Sequence, residues 1–106
     1  MLTLPIKKKW FDMIKSGEKK EEYREIKPYW TKRFYNLKTY ICGYSVTYEG
    51  KVIFKNGYSK ESPQIECSVV ITKGYGKKEW GAEPNKLYYV LKILSVEELW
   101  VKKKCI

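Results

Sequence analysis

Two long strand-forming runs in the second half of the chain constrain its fold more than any other feature. Residues 64–73 (Gln-Ile-Glu-Cys-Ser-Val-Val-Ile-Thr-Lys) and 87–96 (Leu-Tyr-Tyr-Val-Leu-Lys-Ile-Leu-Ser-Val) are rich in β-branched and aromatic side chains, the types that pack well on a pleated surface. The second run is the clearest strand in the sequence. A glycine-punctuated loop from Gly74-Tyr75-Gly76 to Pro84 separates the two. The chain has 106 residues, enough for one domain and too few for two separate cores.

The first half alternates strand and helix signals. Leu2, Leu4 and Ile6 give period-two burial, which predicts a short strand over 2–6, and Pro5 marks an edge or an end. Residues 7–16 predict an amphipathic helix with Trp10, Phe11, Met13 and Ile14 as its apolar stripe, stopped at Ser16-Gly17. Residues 20–26 read as extended. One face then carries Glu22, Arg24 and Ile26, the other Glu21, Tyr23 and Glu25. Two charges on one face of a strand in so small a domain point to a polar cavity or, alternatively, to a plain surface strand. Pro28 opens a short helix over 28–36, with Trp30 and Phe34 four apart to dock on the core. A strand is expected over 38–48, a turn at Glu49-Gly50 and a further strand over Val52-Ile53-Phe54. Asn56-Gly57 is a strong turn signal, followed by a loop over Ser59–Pro63, and 97–104 read as a short helix or an edge strand. The order β-α-β-α followed by strands predicts an α+β fold, a curled sheet or small barrel with helices at one side.

Charge and chemistry narrow the function. Lys and Arg number 22 against 12 Asp and Glu, a net +10, and 10 of the 17 aromatic residues are Tyr. A basic field interleaved with aromatic rings suits RNA or a nucleotide, and it also suits a merely solvated surface. The chain has no His, which removes Ser-His-Asp and Cys-His catalysis and every His-containing zinc site. Cys42, Cys67 and Cys105 form no C-x-x-C pair, so neither a metal nor a disulfide framework is expected. Reduced thiols fit a cytoplasmic protein, with Cys67 read as a core residue. Met1–Ile6 is too short for a leader or a membrane span and is followed by lysines. Gly74-x-Gly76 lacks the third glycine of a dinucleotide loop. No cofactor is expected.

The segment Gly17-Glu18-Lys19-Lys20-Glu21-Glu22-Tyr23-Arg24 fits the pattern G-x-K-x-x-E-x-R between a helix and a strand. Gly17 permits the sharp turn. Glu22 and Arg24 share a strand face and can pair, and Lys19 lies at the mouth between helix and strand. Such a trio can shift a lysine pKa toward base or nucleophile chemistry. It can also bind, with Arg forking onto phosphate or a base edge and Glu accepting from an amino group. An exposed ion pair beside a helix cap is the bland alternative.

That segment resembles the signature of ASCH domains, a branch of the PUA-like fold. Leu4-Pro5-Ile6-Lys7, Phe54-Lys55-Asn56-Gly57-Tyr58 and Gly81-Ala82-Glu83-Pro84 before a Tyr-Tyr-Val strand are similar to small, phage-type members. The resemblance implies one ASCH domain over residues 1–106, with RNA or a modified nucleoside bound in the cleft around the motif. It also implies, as the alternative, a hydrolase of the N4-acetylcytidine amidohydrolase type or a ribonuclease. A relative of that amidohydrolase type uses a Lys, a Thr in the motif and a downstream Glu. Lys19 matches the Lys, Glu22 stands where the Thr would be, and Glu83 or Glu79 would supply the downstream carboxylate. Candidate catalytic residues are therefore Lys19, Glu22 and Glu83. Candidate binding residues are Lys7, Arg24, Trp30, Asn56 and Tyr58, in a monomer or weak dimer away from membranes.

Overall fold

The computed structural model describes residues 1–98. In chain order the elements are β1 (Leu2–Pro5), α1 (Lys8–Ser16), β2 (Glu21–Arg24), α2 (Pro28–Phe34), β3 (Lys38–Cys42), β4 (Ser45–Lys55), β5 (Gln64–Tyr75), a 3-10 turn (Lys78–Trp80) and β6 (Leu87–Glu98). They form a small α+β structure. One mixed sheet, ordered β1-β4-β5-β6-β2 with β3 also on β4, curls into a half-barrel that carries the two helices.

The expected strands at 64–73 and 87–96 form the wall of this half-barrel. Side chains of β5 alternate strictly, with Ile65, Cys67, Val69 and Ile71 fully buried. Burial pushes the Cys67 thiol up to about 12, so it stays a protonated core residue. β6 is covered on both faces. Tyr89 and Leu91 join the main core, while Tyr88 and Val90 pack with Ala82 and Tyr23 on the other side. The register skips Leu94, opposite Ser68 and Val69, a bulge that adds local twist and helps the sheet curl.

The helices close the concave side. Phe11 and Ile14 of α1 and Phe34 of α2 enter the same core as Leu4, Val52 and Phe54. Gly17 ends α1 in the left-handed conformation at φ 88°, with its N–H on the Ile14 carbonyl. Pro28 opens α2, where its missing N–H costs nothing. Phe34 is buried with no exposed surface and Trp30 packs partly on the same core.

Three expectations change. Glu49-Gly50 is not a turn: β4 runs unbroken from Ser45 to Lys55, and the reversal lies at Cys42–Ser45 around Gly43. Gly50 is in the strand because Leu37 lies against it; a Cβ there would sit 3.0 Å from the Leu37 Cδ2. This tertiary contact leaves no local trace in the sequence. The glycine-rich loop starts later than expected, since β5 continues through Tyr75, and the loop contains the 3-10 turn. Glu97 and Glu98 extend β6 rather than beginning a tail element; the rest of that expectation, and Cys105, lie outside the described residues. No helix among the described residues is long and apolar enough to cross a membrane.

Candidate functional site

The half-barrel leaves a seam. β1 and β2 are the two ends of the sheet order, each paired on one side only. α1 connects them in sequence and so runs from one free edge to the other. In the seam lies a cleft of about 340 Å³, lined by Pro5 at the end of β1 with Ile6 and Lys7 after it, by Glu22, Tyr23 and Arg24 of β2 with Glu25 after them, and by Trp10 and Trp30.

Period-two alternation places the charges. Glu22 pairs with Leu91 and Arg24 with Tyr89 across the antiparallel ladder, so both charged side chains lie on the face that carries core residues. Tyr23, opposite Val90, turns to the other face. The polar-cavity reading of this strand is thus the one realised.

Glu22 is held from two sides. Its Oε2 accepts from Arg24 Nη2 at 2.9 Å and its Oε1 lies 3.3 Å from Lys19 Nζ. The same Arg24 nitrogen donates to the Pro5 carbonyl at 2.8 Å. One guanidinium therefore ties the two free edges of the sheet together. The Arg24 guanidinium also stacks 5.0 Å from the Trp30 ring centre, and its Nε is buried without an acceptor among the described residues. A buried donor of this kind costs of order 1–3 kcal/mol until an acceptor arrives.

Lys19 is placed differently from expectation. It does not stand at the mouth: its side chain has no exposed surface. Its Nζ donates to the Trp80 carbonyl at 2.5 Å and lies 4.7 Å above the Trp10 ring and 5.0 Å above the Tyr23 ring. The 3-10 turn over 78–80 is the lid that covers it. Burial lowers the Lys19 pKa below the ordinary lysine value, Glu22 opposes that shift and Arg24 adds to it. Tyr23 is raised, chiefly by burial; its hydroxyl donates to Glu21 at 2.8 Å and accepts the Lys77 N–H at 2.9 Å.

The other candidates divide. Lys7, Arg24 and Trp30 line the seam cleft. Asn56 and Tyr58 line a neighbouring groove that shares Pro5, Ile6 and Lys7 with it. Glu83 does not join either. Its backbone N–H meets the Tyr88 hydroxyl at 3.0 Å and its carboxylate stands exposed, 3.8 Å from Lys86. Glu79 is exposed and lines neither hollow. Trp10, expected in the apolar stripe of α1, packs on the core and is also a cleft wall. Its place in both roles was signalled only by indole chemistry, a large apolar ring with a polar edge suited to a half-wet position. Among the described residues no cluster of His, Cys, Asp or Glu is arranged to hold a metal. Compared with protein-family models, curated proteins and solved structures, the chain matches none.

Proposed function

We propose that the chain is a PUA-like ASCH domain and that its seam cleft binds RNA or a modified nucleoside. One observation carries the reading: a carboxylate fixed between two cations at a cleft flanked by two indole rings. A carboxylate so fixed is an acceptor for an exocyclic amino group such as cytosine N4. Trp10 and Trp30 border the cleft, and Trp30 carries the Arg24 guanidinium on its ring; unpaired bases are commonly recognised by stacking on aromatic rings or on Arg planes. Lys7 at the rim and the net charge of +10 supply attraction for phosphate.

The geometry favours binding over hydrolysis. A nucleophile or general base must reach the substrate, and Lys19 is sealed beneath Glu22 and the Trp80 carbonyl. Its role in this reading is to position Glu22. Glu83, the expected downstream carboxylate, stays outside the cleft.

The test is equilibrium binding of fluorescein-labelled tetracytidylate across a potassium chloride series. The logarithm of the binding constant should fall linearly with log salt, by roughly 0.7 log units per phosphate contacted for each decade of salt. Glu22→Gln, checked for fold by near-UV circular dichroism, should lose most of the affinity. Binding indifferent to salt and to Glu22→Gln would overturn the reading. N4-Acetylcytidine incubated with the protein should be recovered intact; release of acetate would make the cleft a hydrolase site.

A further inference from the structure

A second groove of about 440 Å³ adjoins the seam cleft and is lined by Pro5, Ile6, Lys7, Asn56, Gly57 and Tyr58. The two hollows share one wall, Pro5-Ile6-Lys7. That wall spans at most ~7 Å from first to last Cα, two steps of extended chain. A ligand filling the first hollow therefore lies within one short step of the second.

The loop that carries Tyr58 is built rather than slack. Asn56 N–H bonds the Pro63 carbonyl at 3.0 Å and closes its base. Inside, buried Ser62 accepts the Ser59 N–H at 3.1 Å, and its own N–H meets the Ser59 carbonyl at 3.2 Å. Gly57 sits at φ 121°, and a Cβ there would run into Ser62 Oγ, so this loop needs glycine. Asn56 Nδ2 donates to the Ile6 carbonyl at 2.9 Å and pins the loop to the shared wall. This bonded frame presents Tyr58, a residue 90% exposed. Ordering a loop in advance reduces the entropy lost when something docks on it.

We infer that these two hollows are adjoining subsites for successive nucleotides, so that the ligand is single-stranded RNA of at least two nucleotides rather than a lone nucleoside. The inference rests on the reading of the seam as a base-binding cleft. One base enters the seam and meets Glu22. The next stacks on Tyr58, and Lys7 on the shared wall faces the phosphate that joins them. Sequence-tolerant stacking on an exposed aromatic is the usual way a single strand is held beyond its recognised base.

The experiment compares cytidine 5′-monophosphate with the dinucleotide CpC by isothermal titration calorimetry, on wild type, Tyr58→Ala and Glu22→Gln. CpC should bind at least about tenfold more tightly than the mononucleotide. The mononucleotide carries the larger negative charge near neutral pH, so charge alone would favour the opposite order. Tyr58→Ala should abolish the gain, weakening CpC far more than the mononucleotide; Glu22→Gln should weaken both ligands. Equal affinity for the two ligands, or equal weakening of both by Tyr58→Ala, would overturn the two-subsite inference and leave the seam reading standing. Binding of neither ligand to wild type would overturn the seam reading and the inference with it.

Discussion

Glu22 and Glu25 lie three residues apart, and each is gripped by two cations at similar distances. Glu22 meets Lys19 and Arg24 at 3.3 and 2.9 Å, and Glu25 meets Lys27 and Lys86 at 2.7 and 2.9 Å. Solvent separates the two clusters. The Glu22 side chain is 10% exposed, and the Glu25 side chain is 46% exposed. Distance therefore says little about what each cluster does. Water and salt screen the exposed cluster, whose ion pairs contribute little. The buried cluster has lost its hydration, which costs several kcal/mol per ion, so its members depend on one another. Replacing a buried ion group of this kind with well-packed apolar residues is often neutral or stabilising, so distance and pairing alone are no measure of its contribution.

The largest effect that would sharpen this contrast comes from removing each carboxylate. Glu22→Ala leaves Lys19 and Arg24 buried without their counter-charge and should destabilise the fold by about 3–5 kcal/mol in urea unfolding. Glu25→Ala should leave the midpoint within experimental error. Equal losses would show that burial does not set the difference.

A smaller effect is expected at Lys19. Lys19→Met keeps length and bulk but removes the donor to the Trp80 carbonyl, at a cost of about 1–3 kcal/mol. The pH dependence has a fixed sign. Burial lowers the Lys19 pKa in the folded protein below 10.5, so above the lowered value the unfolded chain binds the extra proton. Wild-type stability relative to Lys19→Met should therefore rise as pH climbs from that lowered value toward 10.5. A wild-type advantage that shrinks over this range would contradict the buried-cation account.

The smallest effect belongs to the exposed cluster. Hydrogen bonds from Lys27 and then Lys86 hold the Glu25 carboxyl down from 4.5 to about 2. Its contribution is complete above 4.5 and is lost as pH falls toward about 2. Glu25→Gln should therefore slightly flatten acid unfolding between those values, and added salt should erase the difference between variant and wild type.

Much of the fold was legible because it is written in local periods. The alternation of Ile65, Cys67, Val69 and Ile71 foretells the buried wall. The Ser16-Gly17 stop and Pro28 mark helix boundaries through backbone chemistry alone. The pairing of Glu22 with Arg24 on one strand face follows from a period of two. What escaped reading depends on partners distant in sequence. Gly50 looked like a turn because Leu37, which occupies its space, is thirteen residues away. Lys19 looked accessible because its lid, the Trp80 carbonyl, comes from the turn between β5 and β6, 61 residues on. Trp10 looked like core alone, since the seam it borders exists only once the sheet has curled.

The central claim is that the seam cleft bordered by Trp10 and Trp30 holds a base against Glu22. Two-dimensional NMR of the indole N–H groups during titration with cytidine 5′-monophosphate tests it most directly. The account predicts progressive, saturable shifts of the Trp10 and Trp30 signals, little change at Trp80, and loss of the response in Glu22→Gln. Shifts that spare Trp10 and Trp30, or that persist unchanged in Glu22→Gln, would place binding elsewhere and contradict the account.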